Sequence, residues 1–579
     1  MQGSRVSLAS DVWRSVTMPL NRTIGAVTAF GITMVTVLLA GVLFGEAVAR
    51  AGEISADLRR QLEHADPSEL VPVIVRLRDS VDNSQLAASM GEERCARHRR
   101  VVSVLRDKAR LAQGGVKAVL AEREKSGKAH LRHSFWVFNG LALDATPETL
   151  RNLAERDDVA EVFPDRVIKM AAPVSITPAV APSDNWGIDR IAVAGLWGAG
   201  YRGKGAVVAF LDSGVDIVTD QFNVVHNPDL RSKWRGGANS WFDPYTNSTF
   251  PYESGSDGHG TGVAGIAVGG SHYGIPVGVA PEATWIAAKI FDDAGSAQIS
   301  AIYSSFQWIL DLPATEAPDV VNCSWDLVGG TFDDTFRIVI ANLRSVGIPV
   351  VFAAGNSGPA FNTSLSPANY PEVTSVGATG SDDSVSDFSS RGPSALDGSS
   401  IFPSVVAPGD NILTTSSAPS GVDTGYVYAT GTSFSAPFVA GTIALLRAAA
   451  RDLNLSVSAE QVEQAIVSSA LDLGDAGPDN SYGNGFIDAV RAARILGILP
   501  PLSTPNGDVD GDGSATIKDV LLDLRAAVGV RRTVADMRGV MAAGDVFPLS
   551  GGVPAPDSRI TLSDVLTLLR KVLRFPTAW

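Results

Sequence analysis

Between residues 186 and about 496, short apolar runs of strand length alternate with longer helix-compatible stretches. The apolar runs occupy residues 206–211, 285–290, 320–323 and 348–353. Such runs are typical of strands that are buried on both faces. Strands that alternate with helices along a chain form a parallel sheet. The predicted fold class is therefore α/β, with a parallel sheet covered by helices on both faces.

Four motifs with chemically active side chains lie in this region. Asp212 follows the first apolar run, and Asn356 follows the strand predicted at 348–353. His259 lies among glycines ahead of a small-residue helix, and Ser433 lies in a glycine-led turn ahead of an apolar helix. Strand ends and helix starts can meet at one rim of such a sheet. A nucleophile, a base, an orienting acid and an oxyanion donor are the parts that acyl transfer needs.

Each of these residues also has an ordinary structural interpretation. The aspartate and the asparagine could be turn residues, the histidine could be structural, and the serine could cap a helix. Their joint occurrence favours catalysis, because they follow one another in the order Asp, His, Asn and Ser.

This order and the surrounding motifs resemble those of the subtilase family over about residues 185–496, and Trp-Phe-Asp at 241–243 resembles its bacillopeptidase F-like members. The resemblance implies a subtilisin-like fold in which Ser433 attacks a peptide carbonyl. It implies that His259 is the base and that Asp212 holds the imidazole. The amide of Asn356 and the N–H of Ser433 would bind the oxyanion.

The resemblance also implies substrate-binding residues in an edge strand and beside the oxyanion donor, namely Ser324, Trp325 and Gly355. Three positions depart from the family pattern, of which Ser213, where the family usually has threonine, is a mild change. Gly262 replaces the second histidine of His-Gly-Thr-His, and Asp326 stands where a glycine is expected. Asp326 either favours a basic residue in the bound peptide or is a solvated turn aspartate.

Two loops of the same region are less informative. The loop at 269–274 lacks the asparagines that line the subtilisin calcium loop, so no calcium site is predicted there. The aromatic-rich segment between Asp212 and His259 either lines the substrate groove or packs as a surface loop.

The N-terminal part predicts a precursor. Residues 23–45 carry no charge and precede an Ala-Val-Ala site, so residues 1–49 are predicted to be a signal peptide, with an uncleaved membrane anchor as the alternative. Either one implies a secreted or cell-surface protein.

Residues 50–172 show a β-α-β-β-α-β tendency that resembles the inhibitory propeptide of subtilases. Such a propeptide is a small α+β domain whose tail lies in the active-site cleft until it is cut. Residues 171–183, rich in Ala, Pro, Ser and Thr, are the expected cleavage linker, and the peptidase domain is placed at 183–498. A plain N-terminal domain that stays attached is the alternative.

A Pro-rich linker at 499–507 leads to a predicted small helical EF-hand or dockerin-like domain at 508–579. Acidic residues at loop positions 1, 3, 5 and 12, with glycine at position 6, predict a Ca²⁺ site. Its ligands would be Asp508, Asp510, Asp512, Ser514, Thr516 and Asp519. Aspartate at position 12 and a second, damaged loop–helix copy resemble a dockerin, which implies a cohesin-type partner.

Composition narrows the function further. The net charge of −15 argues against a nucleic-acid partner, and two cysteines cannot form a disulfide framework. The prediction is a secreted, self-processing serine endopeptidase that acts on protein or peptide substrates and on its own propeptide. An inactive subtilase-like scaffold displayed through the dockerin-like domain, or an esterase or peptide ligase with the same acyl-enzyme, remain alternatives.

Overall fold

The structure is a computed structural model that describes residues 52–81, 86, 93–171, 173–179, 182, 184–219, 225–254, 258–327, 332–417 and 425–500, with isolated positions at 517, 520, 521, 549, 550, 553, 554, 565 and 569. The predicted signal peptide or anchor therefore lies outside the described residues. So do all six proposed ligands of the calcium loop.

The first domain alternates strands and helices. In chain order they are β1 (Glu53–Ile54), α1 (Ala56–His64), β2 (Val71–Leu77), α2 (Arg94–Ala112), α3 (Gly114–Lys125), β3 (Ala129–Phe135), β4 (Gly140–Ala145), α4 (Pro147–Ala154) and β5 (Val159–Pro164). The strands form one sheet in the order β1-β5-β2-β4-β3. All pairs in it are antiparallel except that of β1 with β5. The predicted β-α-β-β-α-β pattern is present, with β1 added at one edge.

The chain then continues through the elements that carry the rest of the fold. These are β6 (Val167–Lys169), β7 (Ser175–Pro178), α5 (Trp186–Arg190), α6 (Ala194–Gly198), β8 (Val207–Asp212), α7 (Pro228–Arg231), β9 (Trp241–Phe242), α8 (His259–Val268), β10 (Thr284–Lys289), β11 (Ser296–Gln298), α9 (Ile299–Asp311), β12 (Val320–Cys323), α10 (Arg337–Ser345), β13 (Val350–Ala353), β14 (Thr374–Thr379), β15 (Val405–Pro408), β16 (Ile412–Thr415), β17 (Tyr426–Thr430), α11 (Ala436–Asp452), α12 (Ala459–Ser468) and α13 (Ala489–Ile495). In the C-terminal part, β18 (Leu549–Ser550) pairs with β19 (Val553–Pro554).

The second domain is built on a parallel sheet in the order β15-β14-β13-β12-β8-β10-β9. Successive residues of β8 enter different cores, as the two-residue period of a strand requires. Val208 and Phe210 belong to the core that holds α8 and α11, and Ala209 and Leu211 belong to the core that holds α9 and α10. The prediction of a parallel sheet with helices on both faces is confirmed.

The helical stretch Thr432–Asp452 is the one candidate among the described residues that is long and apolar enough to cross a membrane. Every residue of α11 from Ala436 to Ala450 is buried in the protein. A helix that is apolar on all sides is typical of a buried core helix. We therefore assign this stretch to the core that supports the sheet.

The first domain packs on α9 and α10 of the second. The ring of Phe138 stacks on that of Tyr303 with centroids 4.1 Å apart. The Asn342 amide donates a hydrogen bond to Val137 O at 2.6 Å. The carboxylate of Asp165, which is buried, accepts from the N–H of Ser300 at 2.9 Å in the first turn of α9. An acidic side chain is favourable at the N-terminus of a helix, so this contact stabilises the domain interface.

The segment predicted as a linker has more structure than its composition indicates. Within 171–183, β7 pairs antiparallel with β17, which in turn pairs with β16. Ser, Ala, Pro and Thr are compatible with an edge strand when a partner strand supplies the hydrogen bonds. The segment thus contains a strand, Ser175–Pro178, and its role as the cleavage linker stays a prediction.

Candidate active site

A buried aspartate–histidine pair lies at the rim of the parallel sheet. Asp212 is the last residue of β8, and His259 is the first residue of α8. The Nδ1 of His259 lies 2.7 Å from Oδ1 of Asp212, and both side chains are buried. The carboxylate accepts a hydrogen bond from the N–H at Nδ1, which leaves Nε2 as the acceptor nitrogen of the neutral imidazole.

Opposing effects set the pKa of His259. Burial lowers this pKa, but the charge and hydrogen bond of Asp212 and the charge of Glu253 raise it, and the balance leaves it above 6.5. A negative neighbour favours the protonated imidazole. His259 can therefore accept a proton more readily than a histidine in water.

Glycines let the two elements approach each other. A Cβ at position 260 would lie 2.2 Å from the carbonyl oxygen of Gly214, so only glycine fits directly after His259. At position 262 a Cβ would lie 3.3 Å from both Phe434 and Thr414. The space of the family's second histidine is thus bounded by Phe434, whose ring centroid is 5.6 Å from that of His259.

Ser433 lies in a 3₁₀ turn, Thr432–Phe434, immediately before α11. Gly431 leads into this turn with φ 146°, a conformation that favours glycine. The Ser433 hydroxyl donates to Ser324 O at 3.3 Å, and the Ser324 hydroxyl donates to Ser433 O at 2.8 Å. His259 Nε2 is buried and has no hydrogen-bond partner among the described residues.

In this conformation Ser433 and His259 are therefore not hydrogen-bonded. The Ser433 side chain has other staggered rotamers, and catalytic hydrogen bonds often tighten only when a substrate binds. Bond formation between the two requires the hydroxyl to leave its contact with Ser324.

Asn356 lies just beyond the end of β13, as predicted, and faces the serine turn. Its Oδ1 accepts from the N–H of Thr432 at 2.9 Å and from its hydroxyl at 3.0 Å. The Thr432 hydroxyl in turn accepts from the N–H of Gly355 at 3.1 Å. With Oδ1 held in this way, the Nδ2 of Asn356 is left as the donor that can face a substrate oxygen.

The predicted substrate-binding residues occupy different environments. The side chain of Trp325 is 2% exposed and packs edge-on against Phe336 and Phe352, so a bound peptide could meet only its main chain. Gly355 has φ 103°, which suits the turn that carries Asn356. The strand that leads to Ser324 is central in the sheet, and the segment after Cys323 extends past its carboxyl end.

Asp326 is 7% exposed, so the alternative of a solvated turn aspartate is wrong. Burial raises the pKa of its carboxyl group to about 6. Burial is the single cause of this shift, and no hydrogen bond or ion pair joins Asp326 to any residue that the structure describes.

The end of the first domain is hydrogen-bonded to two segments of the second domain. Strand β6 pairs antiparallel with β11, and the N–H of Met170 donates to Gly295 O at 2.9 Å. Further along, the N–H of Val174 donates to Thr430 O at 2.9 Å, and β7 pairs with β17. Thr430 lies three residues before Ser433. Val174 is thus bonded to a residue close in sequence to the nucleophile.

Two residues of the site were missed by sequence reasoning. Thr432 orients Asn356, and its place directly before the serine was a usable signal. Glu253 is buried between the Asp212 turn and the start of α8, where it accepts hydrogen bonds from the N–H groups of Gly260 and Thr261, each at 2.9 Å. The available signal was Gly258, a helix N-cap residue without a side chain, which leaves the first turn open to an outside acceptor.

Other predicted features lie around the site. In the aromatic-rich segment, Trp234 and Phe250 pack edge-on at 5.1 Å and lie against the core, which favours the packed-loop alternative. In the loop at 269–274, the carboxylate of Asp229 accepts from the N–H of His272 at 2.7 Å and from the hydroxyl of Tyr426 at 2.8 Å. Cys323 is a buried free thiol whose pKa is raised by burial.

Known proteins share both domains of this chain. Residues 203–485 match the model of the subtilase family, and residues 73–171 match that of peptidase inhibitor I9. The chain is 32% identical to bacillopeptidase F of Bacillus subtilis (strain 168) over 452 residues, which is 71% of this chain and 30% of that protein. It is 34% identical to subtilisin E of the same organism over 374 residues, 64% of this chain and 84% of that protein. It is 36% identical to a subtilisin of Bacillus pumilus over 317 residues, 54% of this chain and all of that protein.

A parallel α/β domain of this kind, preceded by an inhibitor-type domain, defines the class of serine endopeptidases made as proenzymes. The chain belongs to the subtilase family. It spans 30% of the length of the bacillopeptidase F that it matches.

Proposed function

We propose that this chain is the precursor of a secreted serine endopeptidase. It matures by cutting its own chain at the end of the first domain. The observation that carries the proposal is the buried His259–Asp212 pair, 2.7 Å between Nδ1 and Oδ1, beside the turn of Ser433. The family relationship supports the same reaction class.

In the proposed reaction, the Ser433 hydroxyl gives its proton to Nε2 of His259 while its Oγ bonds to the peptide carbonyl carbon. Asp212 stabilises the imidazolium that results. The oxyanion receives hydrogen bonds from Nδ2 of Asn356 and from the N–H of Ser433. The C–N bond then breaks, the amine takes the proton from His259, and water releases the acyl group by the reverse sequence of transfers.

Fluorophosphonate labelling tests the nucleophile, with the label located by peptide mass spectrometry. We expect labelling of Ser433 in the mature protein and its loss in Ser433→Ala. Ser435 offers a matched control, because it is a buried serine two residues away whose hydroxyl has no hydrogen-bond partner among the described residues. Ser435→Ala should still be labelled. A wild-type protein that takes no label would favour the inactive-scaffold alternative.

The hydrogen bonds at the end of the first domain support a narrow range of positions for self-cleavage. Met170 is bonded to Gly295 and Val174 to Thr430, three residues before Ser433, so the bond to be cut is expected between Met170 and Val174. The match to the inhibitor family also ends at residue 171. N-terminal sequencing of the mature protein should give a start within residues 171–174, and Ser433→Ala should remain at the precursor mass. A Ser433→Ala protein of mature mass would contradict self-processing.

For the calcium loop, whose six proposed ligands lie outside the described residues, the proposal remains the one made from sequence. The six oxygen-bearing side chains and carbonyls of the loop at 508–519 are hard ligands of the kind that Ca²⁺ takes. We propose that they bind Ca²⁺ and that the domain docks a cohesin-type partner. Calorimetric titration of the full chain with Ca²⁺, compared with Asp508→Ala/Asp510→Ala, tests the metal site, and a pull-down with a cohesin tests the partner.

A further inference from the structure

Glu253 is a buried carboxylate that faces the catalytic pair without belonging to it. Its side chain is 9% exposed. Two main-chain groups and two hydroxyls donate hydrogen bonds to it, and these donors are Gly260 N, Thr261 N, Thr261 Oγ1 and Ser213 Oγ. A buried carboxylate that is so fully bonded is held in one position.

Three of these four donors, the two N–H groups and the Thr261 hydroxyl, belong to the first turn of α8, the helix that His259 begins. The N-cap residue, Gly258, has no side chain to accept from these N–H groups. Glu253 accepts from them instead, from a position upstream of the helix. The contact therefore fixes the direction of the helix start and, with it, the position of the His259 backbone.

The hydroxyl of Ser213 connects Glu253 to the other half of the pair. Ser213 follows Asp212 directly, and its N–H donates to Asp212 Oδ1 at 2.8 Å. Its oxygen also accepts from Gly260 N at 3.0 Å and lies 3.1 Å from the same carboxylate oxygen. One hydroxyl thus lies between the two carboxylates and the helix start.

We propose that Glu253 is a positioning residue, which fixes the Asp212 turn and the start of α8 relative to each other so that the His259–Asp212 hydrogen bond is held in place. The inference rests on the proposed peptidase function. Asp212 and His259 lie on separate elements, so the triad alone does not fix their relative position. Glu253 provides this connection.

Glu253 also acts on His259 through its charge. The charged groups on the elements around the imidazole are Asp212 at the end of β8, Asp216 in the following turn, Lys289 at the end of β10, Asp229 and Arg231 on α7, and Arg447 and Arg451 in the second half of α11. Lys289 is bonded to Ser213 O at 2.6 Å and paired with Asp293 at 3.1 Å. From this list Asp212 raises the pKa of His259, and Glu253 is the second carboxylate that does so.

The test compares Glu253→Gln and Glu253→Asp with a control that removes an equally buried carboxylate elsewhere. The control is Glu463 on α12, which is 7% exposed. Its carboxylate accepts hydrogen bonds from Arg344 at 2.8 Å and from Thr374 at 2.9 Å. All variants are matured in trans by added wild-type enzyme, and kcat/KM on a peptide substrate is measured across pH.

For Glu253→Gln we expect kcat/KM to fall by about ten- to a hundredfold, mainly through kcat, because small displacements of catalytic groups have effects of this size. The acid limb of its pH profile should move to lower pH, because loss of the Glu253 charge lowers the pKa of His259. Glu253→Asp keeps the charge and should leave the acid limb in place while kcat falls. Glu463→Gln should change stability but neither kinetic quantity.

A Glu253→Gln enzyme with the wild-type kcat and the wild-type acid limb would overturn the proposal. If that variant does not fold, Ser213→Ala replaces it, because it cuts the same connection with a smaller change, and an unchanged kcat there counts against the proposal equally. A wild-type protein without activity would instead overturn the proposed function, so the two failures are distinguishable.

Discussion

The described part of the chain contains two histidine–aspartate pairs of nearly the same geometry. Nδ1 of His259 lies 2.7 Å from Asp212, and Nδ1 of His226 lies 2.9 Å from Asp216. In both pairs the Nε2 atom is buried and has no hydrogen-bond partner among the described residues. Distance alone does not separate a catalytic pair from a structural one.

The surroundings of the two pairs differ. His259 is fully buried, begins a helix and lies against Phe434 in the serine turn. The side chain of His226 is 17% exposed, and its main-chain N–H is bonded to Val218 O at 3.0 Å in the loop ahead of α7. A base needs a nucleophile and a held orientation as well as a carboxylate. By this criterion we propose that the first pair is catalytic and that the second pair has a structural role.

The largest expected difference between the pairs is in turnover. Asp212→Asn should lower kcat/KM by about 10⁴-fold, because an amide favours the wrong imidazole tautomer. The corresponding Asp216→Asn should remain within about tenfold of wild type, since no reacting group touches that pair. Peptide hydrolysis by proteins matured in trans measures both. Equal losses in the two variants would contradict the assignment.

The oxyanion donor gives the next largest effect. Asn356→Leu should lower kcat by about 10²–10³-fold with little change in KM, a magnitude known from a subtilisin. A donor that acts only in the transition state changes kcat alone. Thr432→Val, which removes one of the two contacts to Oδ1, should have a smaller effect in the same direction. A change confined to KM would point to ground-state binding instead.

Much of this arrangement could be predicted from the sequence. The apolar run that ends in Asp212 predicts the carboxyl end of a buried strand, and glycines next to His259 predict a close approach of backbones. These signals are local. The second pair could not be predicted in the same way, because nothing near His226 in the sequence specifies which carboxylate it meets.

Other features depend on partners that are distant in the sequence. Strand β7 exists because β17, some 250 residues later, supplies its hydrogen bonds, so composition alone indicated a linker. The role of Glu253 cannot be predicted from its neighbours in the sequence, because its hydrogen-bond donors lie in the helix that begins at His259 and in the turn at Ser213. The burial of Asp326 likewise depends on how the segment after β12 packs.

Substrate choice should be sensitive to Asp326. We propose that its buried carboxylate, which has no partner among the described residues, favours Lys or Arg in the bound peptide. Its pKa of about 6 means that the preference should strengthen as pH rises from 5 to 8, because the charged form then dominates. Asp326→Asn should lower the ratio of cleavage at basic over neutral residues by about tenfold at pH 8 and less at pH 5. A peptide library with identical profiles for both proteins would rule this preference out.

The smallest expected effect returns to the second pair. In His226→Gln, the carboxylate of Asp216 loses a partner that opposes the burial-driven rise of its own pKa. The free energy of unfolding should therefore fall by about 1–3 kcal/mol, which chemical denaturation of the Ser433→Ala background can measure without self-digestion. The acid limb of kcat/KM should stay where it is in the wild type, because it reports the protonation of His259. If the acid limb moved with His226→Gln, the two pairs would be coupled, and the separation of a catalytic pair from a structural pair would have to be given up.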